Sequence, residues 1–240
     1  MKTLLLAAGE GQRLRPLTLE VPKPMIRVAG LPILEHNIRL LVKHGFDEIF
    51  INTHYKPESV TGYFGDGSAW GARIQYAHEP TLRGTAGALD QLRDYLNETF
   101  LLFFGDNLTN CNLTKLLALH RQRGGCATMA LFARENTAAS GIAELGPDDQ
   151  ILRFVEKPRP EESFSNLVNA GMIVCEPSVL SSIPAGVPFD FGRDLLPKLI
   201  ANGEKLFGYR MVEELYWIDS LDDYERTTRE LANGFISDRE

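Results

Sequence analysis

Cysteine is scarce in this 240-residue chain, and its three copies, Cys111, Cys126 and Cys175, form neither an even set nor a C-x-x-C pair. That excludes a disulfide framework and a cysteine-rich zinc knot, and points to a reducing, cytoplasmic setting. Positive charge is also short. With 25 basic against 32 acidic residues and a net charge of −7, the surface is not built to neutralise nucleic-acid phosphates, so an anionic ligand must be caught by a few placed cations. Long apolar runs are missing, since nothing approaches the ~18 residues of a membrane span. The opening Leu4-Leu5-Leu6-Ala7-Ala8 follows a lysine as in a signal peptide, but falls short of the ~7–15 apolar residues such a core needs, and reads as a first strand. No nucleic-acid partner and no membrane association are expected. The histidines, His36, His44, His54, His78 and His120, show no i, i+4 or H-E-x-x-H pairing, so no zinc site is expected among them. The sequence has no internal repeat and no low-complexity tract.

What is present is the composition of a folded domain, 44% hydrophobic and 24% charged, which argues for a packed core rather than disorder. Short apolar runs alternate with segments of helical period, the pattern of an α/β protein. Strands are read at Leu4 to Ala7, Glu48 to Thr53, Arg73 to Ala77 and Phe100 to Phe104, rich in Leu, Ile and Phe as buried parallel strands are. Between them lie helices at Ile33 to Lys43 and Ala86 to Leu96, followed by Leu113 to Arg123 between Asn112 and Gly124-Gly125. The second half is more mixed, with strands at Ala127 to Ala133, Ile151 to Glu156, Val168 to Val174 and Leu206 to Met211, and helices at Phe191 to Ala201 and Leu221 to Asn233. The expected fold is a mixed, mostly parallel sheet flanked by helices. It would be a single domain of two lobes, residues 1–110 and 111–240, meeting near Asp106 to Asn112. In open α/β sheets ligands sit outside the carboxyl ends of strands, so chemistry is sought there.

After the first strand, Ala8-Gly9-Glu10-Gly11-Gln12-Arg13-Leu14-Arg15-Pro16 is a glycine-bearing turn with two arginines. Glycines there let backbone N–H groups approach phosphate oxygens. A dinucleotide-binding turn would need glycine where Leu14 stands and a helix opening at once, which Pro16 and Pro22 oppose. The loop from Gly9 to Met25, about 17 residues, is long for a compact domain, and such loops are usually functional. Its cations Arg13, Arg15 and Lys23 suit a polyphosphate; the alternative is a solvated basic loop. Lys23 lies between Pro22 and Pro24, which predicts an extended backbone and a pinned point charge. Lys157, before Pro158, is expected extended for the same reason, the alternative being an exposed Glu156-Lys157 pair. Asp106, at the carboxyl end of an apolar strand, is placed to hold Mg²⁺, which takes one or two carboxylates together with phosphates. The alternative is a turn or helix-capping aspartate.

Leu6 through Thr18, with Pro22-Lys23-Pro24-Met25, closely resembles the signature of the sugar-phosphate nucleotidyltransferases, the nucleotide-sugar pyrophosphorylases. Further matches follow in that family's order over nearly the whole chain. They are Glu79-Pro80 with Gly84-Thr85-Ala86-Gly87, Gly105-Asp106-Asn107, Val155-Glu156-Lys157-Pro158, Asn169-Ala170-Gly171, Phe189-Asp190-Phe191-Gly192-Arg193-Asp194 and Tyr216-Trp217-Ile218-Asp219. The Gly-Thr-Ala-Gly run looks most like the mannose-1-phosphate guanylyltransferases. No hexapeptide repeat is seen, so the expectation is a member without the C-terminal β-helix.

The resemblance implies a Rossmann-like, GT-A-like fold and Mg²⁺-dependent transfer of a nucleotidyl group from an NTP to a sugar 1-phosphate, with release of pyrophosphate. It assigns nucleotide contacts to Leu6, Ala8, Gly9, Gly11, Gln12, Glu79, Gly84 and Thr85, and catalytic phosphate contacts to Arg13 and Lys23. It gives Mg²⁺ to Asp106 and Asp219, and the sugar phosphate to Gly141, Glu156, Lys157, Asn169 and Gly171. Two departures stand out. Gln12 replaces a threonine common in the family, and Ser220-Leu221-Asp222-Asp223-Tyr224 is about two residues shorter than the family's loop and lacks its glycine.

GTP is the expected donor, because an ionised Glu79 offers two acceptors to the adjacent N1–H and N2–H donors of guanine. An exposed turn glutamate is the alternative. Mannose 1-phosphate is the favoured acceptor. UTP or dTTP with glucose or heptose 1-phosphate stays open. A non-catalytic nucleotide-sugar-binding regulator is the reading from another class, and it would be expected to have lost Arg13, Lys23 or a carboxylate, all of which stand. The resemblance leaves room for a homo-oligomer.

Overall fold

The computed structural model describes residues 1–232. Along the chain come β1 (Lys2–Leu6), α1 (Leu17–Glu20), β2 (Arg27–Val28), β3 (Leu31–Pro32), α2 (Ile33–Lys43), β4 (Glu48–Thr53), α3 (Pro57–Phe64) and β5 (Arg73–His78). Then follow α4 (Gly84–Asp90), β6 (Phe100–Phe104), β7 (Asn107–Thr109), α5 (Leu113–Arg123), β8 (Ala127–Ala133), β9 (Gly141–Leu145), β10 (Ile151–Glu156) and β11 (Leu167–Cys175). The last are α6 (Leu196–Ala201), β12 (Leu206–Arg210), β13 (Leu215–Trp217) and α7 (Leu221–Glu230). The fold class is the expected one, a mixed sheet with helices against it. The chain forms two compact units that interleave in sequence, where the lobes were expected as contiguous spans 1–110 and 111–240. Among the described residues the first holds 1–82, 103–112 and 213–232; the second holds 83–102 and 113–212.

In the first unit β1, β4 and β5 run parallel, from Lys2↔Glu48 to Leu6↔Asn52 and from Glu48↔Arg73 to Thr53↔His78. Leu4, Leu5, Ile49 and Ile51 are buried, as the unbroken apolar runs require of strands covered on both faces. α2 buries Ile33, Leu34, Ile38 and Leu41 along one stripe. A separate apolar cluster of Leu14, Ile26, Val28, Ile33, Leu108, Ile218 and Leu231 fastens the long loop to the segments that carry Asp106 and Asp219. Asn107 to Thr109 pair antiparallel with Leu215 to Trp217 as Leu215↔Thr109, Tyr216↔Leu108 and Trp217↔Asn107.

The second unit is more antiparallel. β11 pairs with β8 and β9, β9 pairs with β10 so that Glu156 faces Gly141, and β12 adds parallel to β8.

Several local expectations are corrected. The loop after β1 is not simply irregular: it contains 3-10 turns at Gln12–Leu14 and Lys23–Met25 and the one-turn α1. Lys23 therefore opens a turn rather than an extended stretch, with the Met25 and Ile26 amides donating to the Pro22 and Lys23 carbonyls. Lys157 is not extended either. Its φ of 52° is left-handed, and its amide donates to the Ser140 carbonyl. The helix expected at Ala86 to Leu96 starts earlier and stops at Asp90, whose carboxylate accepts from Arg93 and from the Gly186 amide. Phe191–Leu195 is a π-helical turn leading into α6. Helix α7 covers Leu221–Glu230, and Asn233 of the expected helix lies outside the described residues.

Candidate active site

Gly11 has φ 63°, and a Cβ there would come 2.7 Å from Lys23 Cβ and 2.9 Å from Thr18 Cγ2. The missing side chain lets the two arms of the loop close on each other, and the Thr18 hydroxyl donates to the Gly11 carbonyl at 2.9 Å. Lys23 is buried as a result, 6% exposed. Its ammonium meets Asp106 Oδ2 at 2.8 Å and Asp219 Oδ1 at 3.1 Å. The exposed Arg13 guanidinium reaches the same Asp219 oxygen at 3.2 Å.

The two aspartates, far apart in sequence, arrive together because β7 and β13 are antiparallel. Asp106 immediately precedes the first strand and Asp219 follows the second by two residues. Ser220 then caps α7, its hydroxyl accepting from the Asp223 amide at 3.1 Å, so the helix opens directly after Asp219. That accounts for the short loop, which has no separate turn. Burial acts to lower the Lys23 pKa, but the Asp106 and Asp219 charges and their hydrogen bonds outweigh it and hold the ammonium above its ordinary range.

An open pocket of about 330 Å³ is lined by Gly9, Gly11, Gln12, Arg13, Leu14, Lys23, Asp106 and Asp219. Seven of these eight are the loop and metal residues singled out from the sequence; the eighth, Leu14, belongs to the apolar cluster of the first unit, and Gln12 donates to Glu10 at 2.7 Å. Leu6 ends β1, and its carbonyl accepts from Gly105, the residue before Asp106, at 2.9 Å. Ala8 is buried beside it. Arg15, the other cation of the loop, does not line the pocket.

Glu79 is not an exposed turn residue. It is 1% exposed at the end of β5, and its Oε1 accepts from Asn52 Nδ2 at 2.8 Å, while Asn52 Oδ1 accepts from the Ala7 amide at 2.7 Å. Asn52 escaped the sequence reading. Its signal was a polar side chain near the end of the otherwise apolar Ile49-Phe50-Ile51 run.

The second unit brings together a different set. Glu156 is cradled by glycines, since a Cβ on Gly141 or on Gly192 would come 2.5 Å from its Oε2. Burial pushes its pKa up and Asp190 pushes the same way, against Lys157 and Arg193, leaving it above the ordinary 4.5. Lys157 follows directly. Asn169 turns inward on its own strand: Oδ1 accepts from the Gly171 amide at 2.8 Å, at the irregularity where β11 shifts register against β8. Gly84 and Thr85 meet the segment 189–191. A Cβ on Gly84, φ 75°, would come 2.7 Å from the Phe189 carbonyl oxygen, and the Thr85 hydroxyl is hydrogen-bonded to Asp190 and Phe191. Among the described residues no cluster of three or more His, Cys, Asp and Glu could hold a metal ion, and no helix is long and apolar enough to cross a membrane.

The arrangement is a buried lysine between two carboxylates, under a glycine-bearing loop that carries an arginine. The chain belongs to the nucleotidyl transferase family, whose model matches residues 2–233. It is 35% identical to the UTP–glucose-1-phosphate uridylyltransferase of Synechocystis and 36% identical to the mannose-1-phosphate guanylyltransferase of Mycobacterium tuberculosis. These matches cover 95% and 96% of this chain but 63% and 64% of those proteins, so the chain spans less than two thirds of their length. In structure it is similar to a Bacillus anthracis protein assigned as a glucose-1-phosphate thymidylyltransferase and solved with a sucrose. The TM-score is 0.88 at 21% identity, covering 97% of this chain and 96% of that one. HddC from Yersinia pseudotuberculosis, solved with GMP-PN, gives 0.80 at 20%, covering 95% and 98%. These likenesses bear out the Rossmann-like, GT-A-like fold.

Proposed function

We propose that this protein transfers a nucleotidyl group from an NTP to a sugar 1-phosphate, releasing pyrophosphate, with GTP and mannose 1-phosphate as the favoured pair. The observation that carries the reading is the convergence of Lys23, Asp106, Asp219 and Arg13 on one pocket beneath the Gly9–Gly11 turn.

In this reaction an oxygen of the sugar phosphate forms a bond to the α-phosphorus as the bond to the pyrophosphate oxygen breaks. The attacking phosphate is already a dianion at neutral pH, so no general base is required. The protein's part is positioning and charge neutralisation. Arg13 would hold the β and γ phosphates, and Lys23 would exchange a carboxylate for an α-phosphate oxygen, neutralising charge as it builds. Lys157 would take the incoming phosphate, with Glu156 and Asn169 accepting from sugar hydroxyls and Gly171 letting the backbone approach the ring; Gly141 would act by admitting the Glu156 side chain, which fills the space a Cβ would take.

Two carboxylate oxygens already facing one cation are a donor set that fits Mg²⁺, which prefers few protein ligands and completes its shell with phosphates and water. When bound, Mg²⁺ supplies charge neutralisation on the polyphosphate. The preference for GTP rests on Glu79, a buried acceptor-only side chain oriented by Asn52 at the end of β5, and on the likeness to a guanylyltransferase.

The test is pyrophosphate release with every pairing of GTP, UTP, dTTP and ATP with mannose, glucose and heptose 1-phosphates. GTP should lead UTP by tenfold or more per good hydrogen-bond pair, and Glu79→Gln should erode that ratio. Equal kcat/KM for GTP and UTP, or an unchanged ratio in Glu79→Gln, removes Glu79 from base recognition. Nucleotide-sugar binding without turnover in any pairing selects the non-catalytic regulator instead.

A further inference from the structure

Thr85 resembles a nucleotide-contacting threonine, yet its hydroxyl is committed elsewhere. It donates to Asp190 Oδ2 at 2.9 Å and accepts from the Phe191 amide at 2.7 Å, so both its hydrogen and a lone pair are in use. Asp190 spends its other oxygen on two amides, accepting from Gly192 at 3.0 Å and Arg193 at 2.9 Å. The start of α4 grips the preceding residue as well, because the Ala86 and Gly87 amides both donate to the Phe189 carbonyl, at 3.0 and 2.8 Å. The segment 189–193 is thus tied to residues 83–87 by five hydrogen bonds, the fifth from the Phe189 amide to the Arg83 carbonyl at 2.8 Å, and is anchored further by the buried ring of Phe191.

That segment ends on Glu156. Gly192 stands so close that a Cβ would come 2.5 Å from Oε2, and Gly141 closes the other side at the same distance. Among the described residues no donor hydrogen-bonds the Glu156 carboxylate, which sits half-buried with Asp190, Arg193 and Lys157 as its charged neighbours. A carboxylate held by shape alone depends on whatever holds its walls.

We propose that Thr85 is a positioning residue for the sugar-phosphate side of the reaction, acting through Asp190 and Gly192 on Glu156 rather than by touching the nucleotide. This rests on the function proposed above. Its signature is a split in the kinetics: loss of the hydroxyl should weaken the sugar 1-phosphate and spare the NTP.

Thr85→Val keeps the shape and removes the hydroxyl; Thr85→Ser keeps the hydroxyl; Thr85→Ala is the smaller cut to use if the valine variant does not fold. KM is measured for each substrate, and amide hydrogen exchange is followed over residues 189–194. We expect Thr85→Val to raise KM for the sugar 1-phosphate tenfold or more, to leave KM for the NTP within twofold, and to speed exchange at 190–193. Thr85→Ser should return all three toward wild type. A rise in KM for the NTP instead, unchanged values for both substrates, or a serine variant as impaired as the valine one overturns the positioning role. Wild-type turnover is read separately: its absence in every substrate pairing defeats the proposed function, whereas normal wild-type turnover without the split defeats only the role of Thr85.

Discussion

Trp217 pairs with Asn107 at the end of a three-residue antiparallel ladder, and that pairing delivers Asp106 and Asp219 to the same lysine. Asp106 lies in the two-residue break between β6 and β7, and Asp219 between β13 and the Ser220 cap of α7. The pairing of β7 with β13 and the apolar cluster that includes Leu108 and Ile218 bring those two breaks together.

The glycine at position 11 should be far less replaceable than the one at position 9. Gly11→Ala adds a Cβ at 2.7 Å from Lys23 Cβ on a left-handed backbone, which costs about 1–3 kcal/mol and displaces the lysine. Nothing lies within 4 Å of a Cβ on Gly9. Urea unfolding should therefore show a loss for Gly11→Ala and none for Gly9→Ala, while Gly9→Ala raises KM for the NTP if its amide meets phosphate. Equal stability losses would contradict the packing argument.

Arg13→Ala and Lys23→Ala should each lower kcat about 10²-fold or more, the scale of one preorganised electrostatic contact. Their stability effects should differ. Arg13 is 67% exposed and its ion pair contributes little, whereas removing the buried Lys23 leaves two carboxylates facing each other. Because both carboxylates can rehydrate, the loss should fall below the ~3–5 kcal/mol of a fully buried pair. Thermal melts and single-turnover rates check both halves; a change in turnover under threefold in both variants takes the loop out of the mechanism.

Asp106→Asn and Asp219→Asn should raise the Mg²⁺ concentration needed for half-maximal activity, since each removes a negative oxygen at nearly constant size. EDTA should silence the wild type. Full activity in excess chelator would sink the metal assignment.

Glu156 gives a pH dependence of defined sign. Its folded pKa lies above 4.5, so the folded state binds the proton more tightly than the unfolded chain. Its contribution to stability is therefore most favourable below 4.5 and declines as pH rises through the folded pKa. Glu156→Gln removes that decline. In urea unfolding between pH 4 and 8, the stability of Glu156→Gln relative to wild type should rise with pH and level off. A difference that is flat, or falls with pH, would mean that the carboxylate is not penalised by its surroundings.

The long elements were legible in the sequence because β1, β4 and β6 are apolar on both faces, and the family signature marked most of the pocket. The pairing of β7 with β13 was not legible, since three residues such as Asn107-Leu108-Thr109 carry no periodicity. Lys23 and Lys157 were misjudged locally: a proline after a residue biases its backbone, but the Gly11 packing and the Ser140 carbonyl override that bias. The bond from Thr85 to Asp190 spans 105 positions and leaves no local trace.

The chain passes between the two units four times, at 82/83, 102/103, 112/113 and 212/213. Synthesis therefore lays down Lys23 and Asp106 long before Asp219, and the trio cannot close until Asp219 has left the ribosome. A nascent chain halted anywhere before that point carries the lysine and one carboxylate but no complete site. No single proteolytic cut could release either unit intact, so neither can be inherited, transplanted or lost as one contiguous segment.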